Sequence, residues 1–185
     1  EVLTAPVENG DVQNLSNTPG VHETHPRWSP DGKTIAFFSD ASGEYALHLY
    51  DNRTKKARTV ALSGTGFYAF PHWSPNSKKV AFVDNGRNLY VLEVASGKIS
   101  KVDTDDAYFP GDYRDLFGSW SKDGKWLAYS KITETNFERA YIYNTKTSES
   151  KAVSDPLAHV TDPTFDASGK YLYLAASTDA GPVVN

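Results

Sequence analysis

The stretch Trp28-Ser-Pro-Asp-Gly-Lys-Thr-Ile-Ala-Phe37 decides the fold because it occurs four times. Its counterparts are Trp73-Ser-Pro-Asn-Ser-Lys-Lys-Val-Ala-Phe82, Trp120-Ser-Lys-Asp-Gly-Lys-Trp-Leu-Ala-Tyr129 and Phe165-Asp-Ala-Ser-Gly-Lys-Tyr-Leu-Tyr-Leu174. The lead aromatics stand 45, 47 and 45 residues apart. In the first copy Pro30 presets φ, Asp31 caps locally and Gly32 supplies the positive φ of a bulged hairpin turn, so a strand must lie on each side. Further along each unit, residues 45–50, 89–94 and 141–143 alternate apolar and polar side chains and predict a third strand. Turns at 52–56, 95–98 and 145–149 then lead to a short fourth strand ending in Val60, Val102 or Val153. No run of ten or more residues has helical period, which excludes an α/β reading.

Four antiparallel strands repeating every ~40–50 residues are the blades of a β-propeller, and the fold class is therefore all-β. The two ends are out of phase with the blades. Residues 2–4 and 12–16 align with third and fourth strands, whereas 161–177 supply only a first and a second. The expected organisation is a single propeller segment: outer strands of a split blade in 1–16, blades in 22–62, 68–104 and 115–154, and inner strands of a split blade in 160–185. Unpaired strand edges template further pairing. The edges are therefore expected to be hidden, either by 1–16 pairing with the last blade of the same chain or by the same pairing across a homo-oligomer.

Composition narrows the functional classes. The chain has 185 residues, 19 basic against 23 acidic side chains, a formal charge of -4 and no cysteine. Without a block of Lys or Arg it lacks the footprint of phosphate-backbone binding, so nucleic acid is not an expected partner. No apolar run reaches the ~18 residues of a membrane helix, and membrane is not an expected partner either. The absence of cysteine excludes disulfides, a thiolate nucleophile and the usual thiolate zinc site. Residues 1–10 have neither a basic start nor an apolar core and read as no signal peptide. The expected compartment is the cytoplasm, with the periplasm as the alternative, since a leader removed by processing leaves no trace.

The Trp-Ser-Pro-Asp-Gly-Lys unit resembles the repeat shared by the TolB translocation protein and the tricorn proteases. Asn14-Leu-Ser-Asn-Thr-Pro-Gly20, Phe38-Ser-Asp-Ala-Ser-Gly-Glu-Tyr45, Lys101-Val-Asp-Thr-Asp105 and Ala175-Ala-Ser-Thr-Asp-Ala-Gly-Pro182 are similar to the second, seven-bladed propeller of tricorn-like proteases. The resemblance runs from about residue 2 to the end of the chain. It implies a non-catalytic segment of a larger serine peptidase, gating or guiding unfolded peptides toward an active site in another domain. Partners would then be peptides and the other domains of the parent protease. Asn76-Ser77 in place of Asp-Gly, Lys122 in place of Pro and Phe165-Asp166 in place of Trp-Ser depart from the pattern and are expected to weaken those turns.

No Gly-x-Ser-x-Gly elbow or other diagnostic catalytic context is present, so no catalytic residue is assigned. The lead aromatics recur at one structural position and are expected to pack between blades. Lys33, Lys78, Lys125 and Lys170 follow the turns and are expected to be solvated. Gly64-Thr-Gly66 imitates a dinucleotide loop but runs into a strand where phosphate binding needs a helix N-terminus, so no cofactor is expected. His22 and His25, with His72, invite a metal reading, yet their spacing falls in an extended loop, and no metal site is assigned. Asp103, Asp105, Asp106, Asp112 and Asp115 lack the ordered spacing of a calcium loop.

The turns between first and second strands, and between third and fourth, lie on one face of a propeller. The longer connections fall on the other, and they collect the candidate binding residues His22, His25, Phe67, Tyr68, Tyr108, Phe109, Tyr113 and Arg114. Aromatics mixed with charge on scaffolded loops suit contact with peptides. They suit packing against neighbouring domains equally. Two rival functions stand beside the protease reading: a free-standing TolB-like interaction module, and a propeller enzyme acting on sugars.

Overall fold

A computed structural model describes residues 1–63, 66–106 and 114–177. It contains sixteen strands: β1 (Leu3–Thr4), β2 (Gln13–Asn14), β3 (Glu23–Trp28), β4 (Thr34–Ser39), β5 (Ala46–Asp51), β6 (Lys56–Ala61), β7 (Tyr68–Trp73), β8 (Lys79–Asp84), β9 (Asn88–Glu93), β10 (Ile99–Thr104), β11 (Phe117–Trp120), β12 (Trp126–Ile132), β13 (Glu138–Asn144), β14 (Glu149–Ala152), β15 (Val160–Phe165) and β16 (Leu172–Ala176). They form three four-stranded antiparallel meanders, β3 to β6, β7 to β10 and β11 to β14, flanked by the two-stranded sheets β1–β2 and β15–β16. The three blades and two half blades of the repeat are thus present.

Blade stacking explains why the second strands read as nearly continuous apolar runs. A strand sends successive side chains to opposite faces, and each blade has a neighbour on both. From β4, Ile35 and Phe37 pack with Val2, Leu15 and Tyr50, toward β1–β2. Ala36 and Phe38 point the other way and join Leu47, Leu49, Tyr68, Val80 and Phe82 between the first and second blades. The same division sends Ala81 and Val83 of β8 toward Trp120, Leu127, Tyr129 and Tyr143 of the third blade.

In the three complete blades the turn from first to second strand is fixed by one side-chain device. Ser29 Oγ donates to Asp31 Oδ1 at 2.6 Å and accepts from Thr34 N at 3.0 Å. Ser74 with Asn76 and Ser121 with Asp123 repeat it.

The first strand of every blade carries a bulge, between Thr24 and Arg27, Ala69 and His72, Phe117 and Ser119, and Thr161 and Thr164. In three of them the residue before a proline takes positive φ: His25 at 54°, Phe70 at 54° and Asp162 at 53°. Among the described residues no strand of the first half blade pairs with one of the last. β1–β2 and β15–β16 each pair only internally, since each stacks as a half blade on its own neighbour at an opposite end of the arc.

Candidate functional site

Three connections on one face bring His22, Tyr45 and Phe67 together at the seam between the first and second blades. His22 N donates to Asp40 Oδ1 at 2.8 Å, which fixes the entry to β3. The His22 Nδ1 hydrogen-bonds the Tyr45 hydroxyl, the two rings lying edge to face with centroids 6.1 Å apart. The Tyr45 ring in turn lies tilted against that of Phe67, with centroids 5.4 Å apart. Phe67 is held by its backbone, with N donating to Asn85 Oδ1 at 3.2 Å and its carbonyl accepting from Asn85 N at 3.0 Å. The residue is left 53% exposed. Tyr45 was missing from the sequence-derived set because it directly precedes β5 and reads as the start of that strand.

Other candidates fall elsewhere. Tyr68 is only 6% exposed and stacks on Phe38 at 5.8 Å, so its side chain is core and does not belong to the loop surface. Strand alternation separates it from Phe67. His25 lies within β3, not in a loop, and meets Phe70 edge-on at 5.5 Å. Its buried Nδ1 has no hydrogen-bond partner, and burial, reinforced by Arg27, lowers its pKa and so disfavours the charged ring. Arg114 pairs with Asp105 at 3.1 Å and with Glu138, and so fastens the approach to β11 onto the third blade. Tyr108, Phe109 and Tyr113 lie outside the described residues.

Asp103, Asp105 and Asp106 of the acidic cluster are paired with Lys131 or Arg114, and Asp112 lies outside the described residues. Asp103 pairs with Lys131 at 2.9 Å and accepts from the Tyr129 hydroxyl at 2.6 Å; Asp106 reaches the same lysine at 3.3 Å. Asp115 takes His72 Nε2 at 2.6 Å, while the imidazole stacks on Phe117 with centroids 3.9 Å apart. No sequence signal joined His72 to Asp115, which come together only when the first strands of adjacent blades pack. Among the described residues no three His, Asp or Glu side chains converge as a metal site, and no serine hydroxyl bonds the His72 ring.

The domain model for the tricorn protease second β-propeller matches residues 1–184. The chain belongs to that family. This propeller segment is 29% identical over 154 residues to the uncharacterized peptidase YuxL of Bacillus subtilis, covering 83% of the segment and 22% of that protein. It superposes on the crystal structure of the tricorn protease with a TM-score of 0.66 at 21% identity, covering 88% of the segment and 16% of that chain. On TolB from Acinetobacter baumannii the TM-score is 0.62 at 20% identity, with 93% and 42% covered. The segment therefore spans less than a quarter of the length of its peptidase relatives.

Proposed function

We propose that this chain is a non-catalytic propeller segment of a tricorn-like serine peptidase that guides extended peptides toward a peptidase domain lying outside these residues. The observation that carries the reading is the His22, Tyr45 and Phe67 cluster. It is an aromatic surface on a rigid blade seam, anchored through backbone bonds and open to solvent at Phe67. Aromatic rings bury large area at small entropic cost and accept many side chains, as sequence-tolerant peptide contact requires.

The test uses the whole peptidase chain. Phe67→Ser is expected to raise KM for long unfolded peptides several-fold while leaving hydrolysis of a dipeptide-sized chromogenic substrate unchanged, because only long substrates reach from the seam to the active site. Equal loss on both substrates, or no loss on either, would overturn the guiding role. Cleavage by the isolated 185-residue segment, with a serine-reactive fluorophosphonate labelling one of its own residues, would overturn the non-catalytic assignment.

The TolB-like likeness supports a second reading, a free-standing interaction module. An immunoblot of native extract separates the two. A band several times heavier than this segment supports the protease reading, and a band at its own mass supports the module.

A further inference from the structure

On the opposite face, the β5–β6 hairpin of the first blade concentrates positive charge in a chain whose formal charge is -4. Residues 51–58 hold Arg53, Lys55, Lys56 and Arg58 against one acid, Asp51. The other blades provide an internal control. The equivalent hairpin of the second blade, 93–100, carries one cation and one acid, and that of the third, 144–151, two cations and one acid. The fold alone does not demand the charge.

The Asp51 carboxylate caps its own turn, accepting from Arg53 N at 2.9 Å and Thr54 N at 2.7 Å. Asn144 does the same in the third blade without a charge. Arg53, Lys56 and Arg58 are exposed and form no ion pair among the described residues.

Lys56 and Arg58 border an open recess of about 320 Å³ between the first two blades, floored by Leu49, Ala57 and Val94. Arg58 is fixed there by donating Nη2 to the Val94 carbonyl. A second recess, beside Lys33 and Arg53, lies across Asp51 from the first. Cations spread over two recesses match a run of carboxylates better than a single chain terminus.

We propose that this hairpin is a docking surface for an acidic stretch of polypeptide, with Arg53, Lys56 and Arg58 receiving Asp or Glu side chains. It lies across the propeller from the aromatic seam, and binding there does not depend on the guiding role.

The probe is a fluorescent, glutamate-rich peptide with an amidated C-terminus, compared by anisotropy with its glutamine counterpart and with a single-stranded oligonucleotide of equal charge. The glutamate peptide alone is expected to bind. Its affinity should fall as ionic strength rises from about 0.01 M to about 0.1 M, where the Debye length shrinks from ~30 Å to ~10 Å. The double variant R53E/K56E is expected to bind about tenfold or more weakly, two exposed attractions having become repulsions. R53Q/K56Q reports the same loss if charge reversal perturbs folding, which a melting curve reveals. K146E/K151E on the third blade serves as control and should bind as the unaltered protein does. Absent binding at low ionic strength, undiminished binding by R53Q/K56Q, equal weakening by K146E/K151E, or an oligonucleotide bound at least as tightly would each overturn the proposal.

Discussion

Ser29 and Asp31 lock their turn with a hydroxyl donating to a carboxylate, and the fourth repeat does the same with the two residues exchanged. There Asp166 accepts from Ser168 Oγ and from Lys170 N and Tyr171 N, at 2.9 and 3.0 Å for the two amides. A departure read in sequence as weakening is therefore a substitution that keeps the bonding. The second repeat departs differently. Asn76 Nδ2 reaches Asp123 O in the next blade at 2.8 Å, and Ser77, at φ 58°, accepts from Asp31 N at 3.1 Å, so both replacements bridge turns. This contact makes Gly124 and Gly32 unequal, although their φ values are 68° and 69°. A Cβ on Gly32 meets nothing within 4 Å, whereas one on Gly124 lies 2.7 Å from Asn76 Nδ2. Gly32→Ala is expected to cost about 1 kcal/mol for left-handed backbone alone. Gly124→Ala should cost about 1 kcal/mol more, because Asn76 must abandon its bond. Urea denaturation checks both, and in an Asn76→Ala background the two costs should become equal.

At the scale of the strand, alternation and turn chemistry made every blade strand readable, but the bulges passed unread. Their signal was present as Pro26, Pro71 and Pro163, each two residues ahead of the lead aromatic, with Gly118 in that place in the third repeat. A proline lacks the N–H a regular ladder needs, so these first strands bulge there. Gly118 cannot bear a side chain, since its Cβ would lie 2.5 Å from Pro163 O. Beyond the bulge the lead tryptophans link blade to blade. Trp73 Nε1 donates to Arg27 O at 3.0 Å, and Trp120 Nε1 to His72 O at 3.2 Å, each reaching the residue before the previous tryptophan. In the fourth repeat, where the Phe165 ring carries no N–H, Ser119 Oγ bridges instead, donating to Pro163 O at 3.0 Å and accepting from Phe165 N at 2.9 Å. Trp28 breaks the expected uniform packing and is 46% exposed, because among the described residues no first strand of a preceding blade covers it. Trp120→Phe should therefore destabilise by about 1–2 kcal/mol, losing a half-buried bond and some packing. Trp28→Phe should stay within about 0.5 kcal/mol of the unaltered chain. Equal effects of the two in denaturant titrations would remove the tryptophan ladder from the account.

Across the whole molecule, the fold was legible because a propeller writes its architecture four times, so each copy corrects the others. The candidate site is written once. Phe67 and Tyr68 are adjacent aromatics, and only the packed blades reveal that one is open and the other is core. His72 and Asp115, 43 residues apart, give no local sign of their bond. The same packing sets the response to acid. His48, stacked on Phe37 at 5.3 Å with Nε2 buried and unpartnered, has its pKa lowered below 6.5 by burial, with Glu23 opposing in part. His25 is lowered by burial and by Arg27. A base with a lowered folded pKa binds its proton more readily when unfolded, so its stability contribution is complete above pH 6.5 and is lost as pH falls below that value. The turn carboxylates act in a lower window. Hydrogen bonds from Lys125 and Ser121 bring Asp123 to about 2, and those from Ser168 and Tyr171 bring Asp166 to about 2. Their contribution is complete above the ordinary value of 3.8 and fades as pH falls toward 2. Thermal melts should therefore show stability declining below pH 6.5 and again below 3.8. His48→Gln, which cannot titrate, should flatten the upper decline and leave the lower one in place. An upper decline unchanged in both His48→Gln and His25→Gln would mean that neither ring is held neutral by its blade.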